Sequence, residues 1–155
     1  QRRNIAFFGN TNNPENAARC DGYRQALEEF GIKADAKLKI DVPFEMHRAR
    51  EVIIDFVESG ANPDGVICLS DVMELAALST FQELGVRVPE DVAVVGYDDI
   101  SLAAYGSPPL TTVRQNIHQA GRILVESVLG IIRGGDVEDT ILASELVVRK
   151  SSVTP

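Results

Sequence analysis

The sequence predicts an α/β fold, a doubly wound parallel sheet, from three observations. Short apolar runs alternate four times with segments of helical periodicity. Two of those runs, at 65–69 and 92–96, are continuously apolar, as strands covered on both faces must be. Turn-forming Gly, Asn and Pro residues fall between the runs and the helices.

The elements follow in order. Residues 3–8 form a first strand that ends in Gly9-Asn10-Thr11-Asn12-Asn13-Pro14. Asn13 is placed to cap a helix and Pro14 to occupy its first turn. Cys20, Tyr23, Leu27 and Phe30 recur at helical spacing, and Gly31 ends the pattern. Ala36, Leu38 and Ile40 alternate with Lys37 and Lys39, which predicts a second strand with one exposed face. Met46, Ala49, Ile53 and Phe56 make the stripe of a second helix, closed by Gly60. After the strand at 65–69 a third helix runs over about 72–84, and the strand at 92–96 follows. The rhythm then changes. A loop begins at Tyr97-Asp98-Asp99, Pro108-Pro109 closes it, and 110–113 is a short strand. A long helix covers 116–133 up to Gly134-Gly135, 146–149 is a last strand, and 151–155 reads as a frayed tail.

The chain has 155 residues, 45% of them hydrophobic, which suffices for one domain with a core. Its 15 basic against 23 acidic residues give a net charge of -8, and such a surface repels phosphate backbones. The chain is therefore not expected to bind DNA by itself. Cys20 and Cys68 lie in apolar-periodic segments, where reduced thiols act as small hydrophobes. No apolar run reaches membrane-spanning length, and Gln1-Arg2-Arg3 leads into a strand without a signal-peptide core, so a cytoplasmic location and a longer parent chain are expected.

Ligands of open parallel sheets bind beyond the carboxyl ends of the strands. There the sequence places Asp41 after the second strand, Ser70-Asp71 after the third and Tyr97-Asp98-Asp99 after the fourth, with Arg19 near the start of the first helix. Carboxylates accept hydrogen bonds from several hydroxyls and an Arg fork clasps neighbouring oxygens, so this set suits a polyhydroxylated ligand. Asp41 and Asp71 also precede helices, so a capping role fits them too. An enzyme is not expected. A phosphoacceptor domain needs its acidic pair after the first strand, whereas here the pair follows the fourth; P-loop, G-x-S-x-G and G-x-G-x-x-G patterns are absent, and His47 and His118 sit in helical patterns without an adjacent nucleophile. Neither a metal nor a cofactor is called for.

Two stretches then carry a resemblance. Val88-Pro89-Glu90-Asp91-Val92-Ala93-Val94-Val95-Gly96-Tyr97-Asp98-Asp99, followed by Pro108-Pro109-Leu110-Thr111-Thr112-Val113-Arg114-Gln115, resembles the C-terminal signature of the lactose/galactose-repressor family. Arg19-Cys20-Asp21-Gly22-Tyr23 is similar to that family's Arg-x-x-Gly-aromatic helix, and the segment from Pro63-Asp64-Gly65 to Ser70-Asp71 to its third strand and ligand-site turn. The resemblance implies a two-lobed sensor built like periplasmic sugar-binding proteins. A small effector, a sugar or polyol, would sit between the lobes and control DNA binding by an N-terminal helix-turn-helix headpiece that this chain lacks. It also implies a homodimer. Residues 1–114 would form the C-terminal lobe, 115–143 a crossover and a helix of the N-terminal lobe, and 144–155 the returning strand and tail, with Gln115 at the hinge.

By the same resemblance Arg19, Asp71 and Asp98 match effector-contacting positions, whereas at Asp41 several members carry an aromatic that stacks on the effector, which an aspartate cannot do. Three carboxylates against one arginine favour a neutral polyol or a cationic group. A periplasmic sugar-binding protein for transport or chemotaxis shares this fold and is the alternative. The long helix adds one expectation: Ile117, Ala120, Leu124, Val128 and Ile131 form a stripe that Ile123, Val125, Leu129 and Ile132 widen, so the chain alone should self-associate through it.

Overall fold

The computed structural model describes residues 2–153. Strand β1 (Ile5–Phe8) is followed by helix α1 (Pro14–Glu29), β2 (Lys39–Ile40), α2 (Met46–Glu58), β3 (Gly65–Cys68), α3 (Asp71–Glu83), β4 (Ala93–Asp98), β5 (Thr111–Arg114), α4 (Ile117–Ile132) and β6 (Glu145–Val147). One six-stranded sheet results, in the order β2-β1-β3-β4-β5-β6. All neighbours are parallel except the β5–β6 pair, which is antiparallel. The order reverses between β1 and β3, and in such sheets a crevice for ligands opens at that point.

Local chemistry explains the starts of the helices. The Asn13 side chain accepts a hydrogen bond from the Asn16 amide and Pro14 occupies the first turn of α1. Ser70, with its extended backbone, caps α3 through its hydroxyl. Neither Asp41 nor Asp71 is a helix cap, since Glu45 stands at that position for α2 and Ser70 for α3. Helices α2 and α3 cover one face of the sheet together. Their buried Ala49, Ile53, Phe56, Met73, Ala77 and Phe81 join Phe8, Val66, Cys68 and Val94 in a single core. The Phe8 ring meets Phe56 edge-on at 5.3 Å between centroids.

Four sequence expectations change. Residues 36–38 form a 3₁₀ turn, because the Asp35 side chain accepts from the Lys37 amide, and the strand shrinks to Lys39–Ile40. Phe30, read as the end of the α1 stripe, is 72% exposed, since it lies at the end of the helix beyond the last turn that faces the sheet. Met46 is likewise exposed at the first turn of α2. The fourth change concerns the tail. Ser151 is fully buried: its amide donates to Pro109 O, its carbonyl accepts from Val94 N, and its hydroxyl accepts from the Thr111 amide. The chain after β6 thus fills the sheet edge beside β4, where β5 has not yet begun; Thr154 and Pro155, the rest of the expected tail, lie outside the described residues.

Candidate functional site

The register fixes which residues meet at the carboxyl edge. Phe8 aligns with both Ile40 and Cys68, Ile67 with Val95, and Gly96 with Thr112. One residue further along lie Asp41, Gly9, Leu69 and Tyr97, so the carboxyl ends of the parallel strands open on the same side.

Arg19 is held from two directions. Its guanidinium donates to Leu69 O at 2.8 Å and stacks 3.8 Å above the centre of the Tyr97 ring. A planar cation over an aromatic face keeps one edge of its fork free for a partner. Asp98, next to Tyr97, is half-buried and carries φ 116, a backbone conformation that L side chains rarely adopt. Burial raises its carboxyl above the usual range, Arg19 pulls it back, Asp71 pushes it up again and the Gln115 hydrogen bond lowers it. Gln115 donates to Asp98 Oδ1 at 3.1 Å. Arg19, Asp71, Asp98 and Gln115 are therefore within electrostatic or hydrogen-bonding reach of one another.

Asp71 is different in kind from Arg19 and Asp98. It is fully buried, and both its oxygens are engaged, one by the Ile100 amide at 2.9 Å and the other by the Thr112 hydroxyl. Burial pushes its carboxyl upward and those two hydrogen bonds draw it down. Its position is directly behind the strained turn, whose second residue, Asp99, also has positive φ. Asp99 is gripped by Arg149 at 2.7 Å and Arg114 at 2.6 Å, and its amide donates to Thr112. Desolvation pushes the Asp99 carboxyl up, but the two arginines outweigh it and hold it below the usual carboxylate range. The turn that presents Asp98 is thus fixed on every side except the outer one.

Asp41 does not join this group. It is exposed at the end of the edge strand β2, three strand spacings from β4, roughly 14 Å at about 4.8 Å per strand. Three residues beyond it, Phe44 presents an aromatic ring that is 49% exposed, while Val42 between them is buried and anchors the loop. Sequence reasoning placed Asp41 at the edge as a polar candidate, noting that the resemblance offers an aromatic at that position, and did not weigh Phe44, a large apolar residue in the same strand-end loop. It also missed the Tyr97 stack and the Asp99 clamp, for which Arg149 arrives from 50 positions away. His47 and His118 are exposed. Among the described residues no cluster of three or more His, Cys, Asp or Glu could hold a metal ion, and no helix is long and apolar enough to cross a membrane.

Known proteins resemble this chain over most of its length. Residues 1–152 match the family described as the periplasmic binding protein-like domain. The chain is 37% identical over 135 residues to the HTH-type transcriptional repressor PurR of Photobacterium profundum, covering 86% of this chain and 40% of that protein. It is 39% identical over 138 residues to the PurR repressor of Vibrio atlanticus, covering 88% and 41%. Among solved structures, a transcriptional regulator CelR–cellobiose complex superposes with a TM-score of 0.89 at 34% identity, over 97% of this chain and 47% of that one. The lac repressor dimer bound to operator and an anti-inducer superposes at 0.90 with 26% identity, over 99% and 54%. The chain thus spans about two fifths of the length of the curated relatives it matches.

Proposed function

The chain belongs to the periplasmic binding protein-like domain family and is the effector-binding region of a lactose/galactose-repressor-type regulator, and from this premise we propose that it senses a small hydroxylated ligand at the Arg19–Asp98 edge and thereby controls DNA binding by a headpiece carried elsewhere in the protein. The relatives and solved neighbours named above are transcription regulators, which supports this reading over a periplasmic carrier. The carrying observation is the convergence of an aromatic-stacked Arg19, a half-buried Asp98 on a strained turn, and Gln115 at the start of the crossover to α4.

Arg19 and Asp98 are the ligand contacts. Asp98 accepts ligand hydroxyls while Arg19 clasps a second oxygen; Phe44 offers the apolar ring face against which a sugar or a planar ligand stacks. Asp71 lies beneath the surface and acts by holding Ile100 and Thr112, hence the turn. A ligand that takes over the Asp98 carboxylate must displace the Gln115 amide. Gln115 is therefore the hinge residue through which occupancy is felt where the chain leaves the sheet, and residues 115–143 pack on a second lobe that closes over the ligand. Such a protein works in the cytoplasm as a homodimer, reads the operator through its headpiece and needs neither a cofactor nor catalysis.

The experiment is a calorimetric titration of the intact regulator with mono- and disaccharides, polyols and nucleobases, paired with operator retention in a gel. One ligand class should bind with a micromolar Kd, near 8 kcal/mol, and change operator retention. Asp98→Asn should weaken that binding at least about tenfold, or about 1.4 kcal/mol. Unchanged affinity in Asp98→Asn overturns the site, and ligand binding without any change in operator retention overturns the regulator. Residues 1–155 alone, with about half of the contacts absent, should bind the same ligand only at roughly millimolar Kd.

A further inference from the structure

Glu74 is a fully buried carboxyl on the face of α3 turned toward β4. It lies against Gly96, where a Cβ would overlap Glu74 Oε2 and Asp71 Oδ1, so the absence of a side chain at 96 leaves the room that the two carboxyls occupy. Glu74 Oε1 is 3.0 Å from the Ser151 hydroxyl, and Oε2 has no hydrogen-bond partner.

Counting protons around Ser151 decides the state of Glu74. The Ser151 Oγ receives the Thr111 amide at 2.7 Å and lies 2.7 Å from the Val94 carbonyl oxygen. A hydroxyl has one proton and two lone pairs, and a carbonyl can only accept. The proton goes to the closer partner, Val94 O, and Thr111 fills one lone pair. Only the second lone pair faces Glu74, so a hydrogen bond exists there only if Glu74 donates it. A bare Oε2 agrees, because an unpartnered carbonyl oxygen of a neutral acid costs far less to bury than half of an unpaired anion.

We propose that Glu74 is a proton-carrying positioning residue: its neutral carboxyl donates to Ser151, clamps the returning segment 149–151 to the sheet, and so keeps Arg149 on Asp99 behind the turn that presents Asp98. The chain of contacts is continuous. Ser151 bonds Pro109, Val94 and Thr111; Arg149, two residues before it, takes its amide to the Thr111 hydroxyl, its guanidinium to Leu110 O at 2.7 Å and to Asp99 at 2.7 Å. Burial pushes the Glu74 carboxyl up to about 9, with Asp71 adding to the rise and Arg149 opposing. The titratable groups around it are Asp71 on its own helix, Cys68 on β3, whose thiol burial also raises, and Arg149 on the returning segment. The neighbours from β4 and β5, Gly96, Thr111 and Thr112, do not titrate.

A group protonated in the folded chain up to about pH 9 but only to about 4.5 when unfolded contributes stability that is complete below 4.5 and drains away up to 9. Urea unfolding of residues 1–155 and of Glu74→Gln, from pH 4 to 9, reads this directly. The ratio of the two unfolding constants should rise about tenfold per pH unit across that window, Glu74→Gln being the more resistant at pH 8, and should flatten at pH 4. A ratio independent of pH overturns the proposal. The Glu74 carboxyl resonance in ¹³C-labelled wild-type chain gives a second reading that needs no variant: a protonated shift at pH 7 is expected, and titration near 4.5 overturns it. Hydrogen exchange at the Ser151 and Val94 amides should accelerate in Glu74→Ala and recover in Glu74→Gln; equal protection in all three chains overturns the clamp. The link to ligand rests on the site assigned above. If no ligand binds, that assignment fails while these readings, which involve none, still stand or fall alone.

Discussion

Helices α3 and α4 are both rich in aliphatic residues, yet eight of the 13 residues of α3 are buried and none of the 16 in α4 is. The difference is one of partners. Helix α3 packs against both α2 and the sheet, so even its Asp71, Glu74 and Thr80 are taken out of water. Helix α4 is tied to the sheet only through β5 and β6 at its two ends, and Ile117, Leu124, Val125, Val128, Ile131 and Ile132 stand more than half exposed. A helix of this length gains most of its stability from an apolar face packed against something. The comparison teaches that the body of the chain is a finished core while α4 carries an apolar face that no other described residue buries, which is what the proposal that residues 115–143 serve a second lobe requires.

Substitutions in the two helices sharpen the contrast, beginning with the largest effect. Phe81→Ala empties a fully buried position against the Phe8 ring and should cost about 3–5 kcal/mol in urea unfolding; a loss below 1 kcal/mol would mean that α3 is not packed as described. Asp71→Asn keeps the volume but turns one acceptor into a donor facing the Thr112 hydroxyl or the Ile100 amide. About 1–3 kcal/mol should be lost, together with exchange protection of the Ile100 amide. Leu124→Glu sits at the other extreme: stability should stay within about 0.5 kcal/mol, because the residue is 66% exposed. Its effect belongs to association. Light scattering on residues 1–155 should show dimers or larger species at high micromolar concentration, and the Glu variant should reduce them toward monomer. A wild-type monomer, with Leu124→Glu changing nothing, would place α4 outside any interface and erase the contrast.

Much of this was legible in the sequence because it is encoded locally. The Asn13-Pro14 start of α1, the uninterrupted strands around Val66 and Val94 and the glycine ends of α1 and α2 follow from residues a few positions apart, where capping, periodicity and φ preferences act. Asp71 and Asp98 were legible as polar residues at strand ends, and Arg19 as a residue of the helix that follows the first strand. What separates a buried holder, Asp71, from an accessible acceptor, Asp98, was not. That distinction depends on Ile100 folding back over α3 and on Thr112 arriving from β5, contacts across 29 and 41 positions.

The sequence by itself determined the alternation of strands and helices, the edge at which polar residues gather and the unusually broad apolar face of α4, because each is a periodicity or a short motif. Only the tertiary structure decided the rest. It set Arg19 on the Tyr97 ring, left Asp41 exposed on the edge strand away from Asp98, and turned an apparent tail into the buried Ser151 that meets Glu74. The physical reason is common to all three: a side chain's burial and its hydrogen-bond partners are fixed by which distant segments fill the space beside it, and no local pattern carries that information.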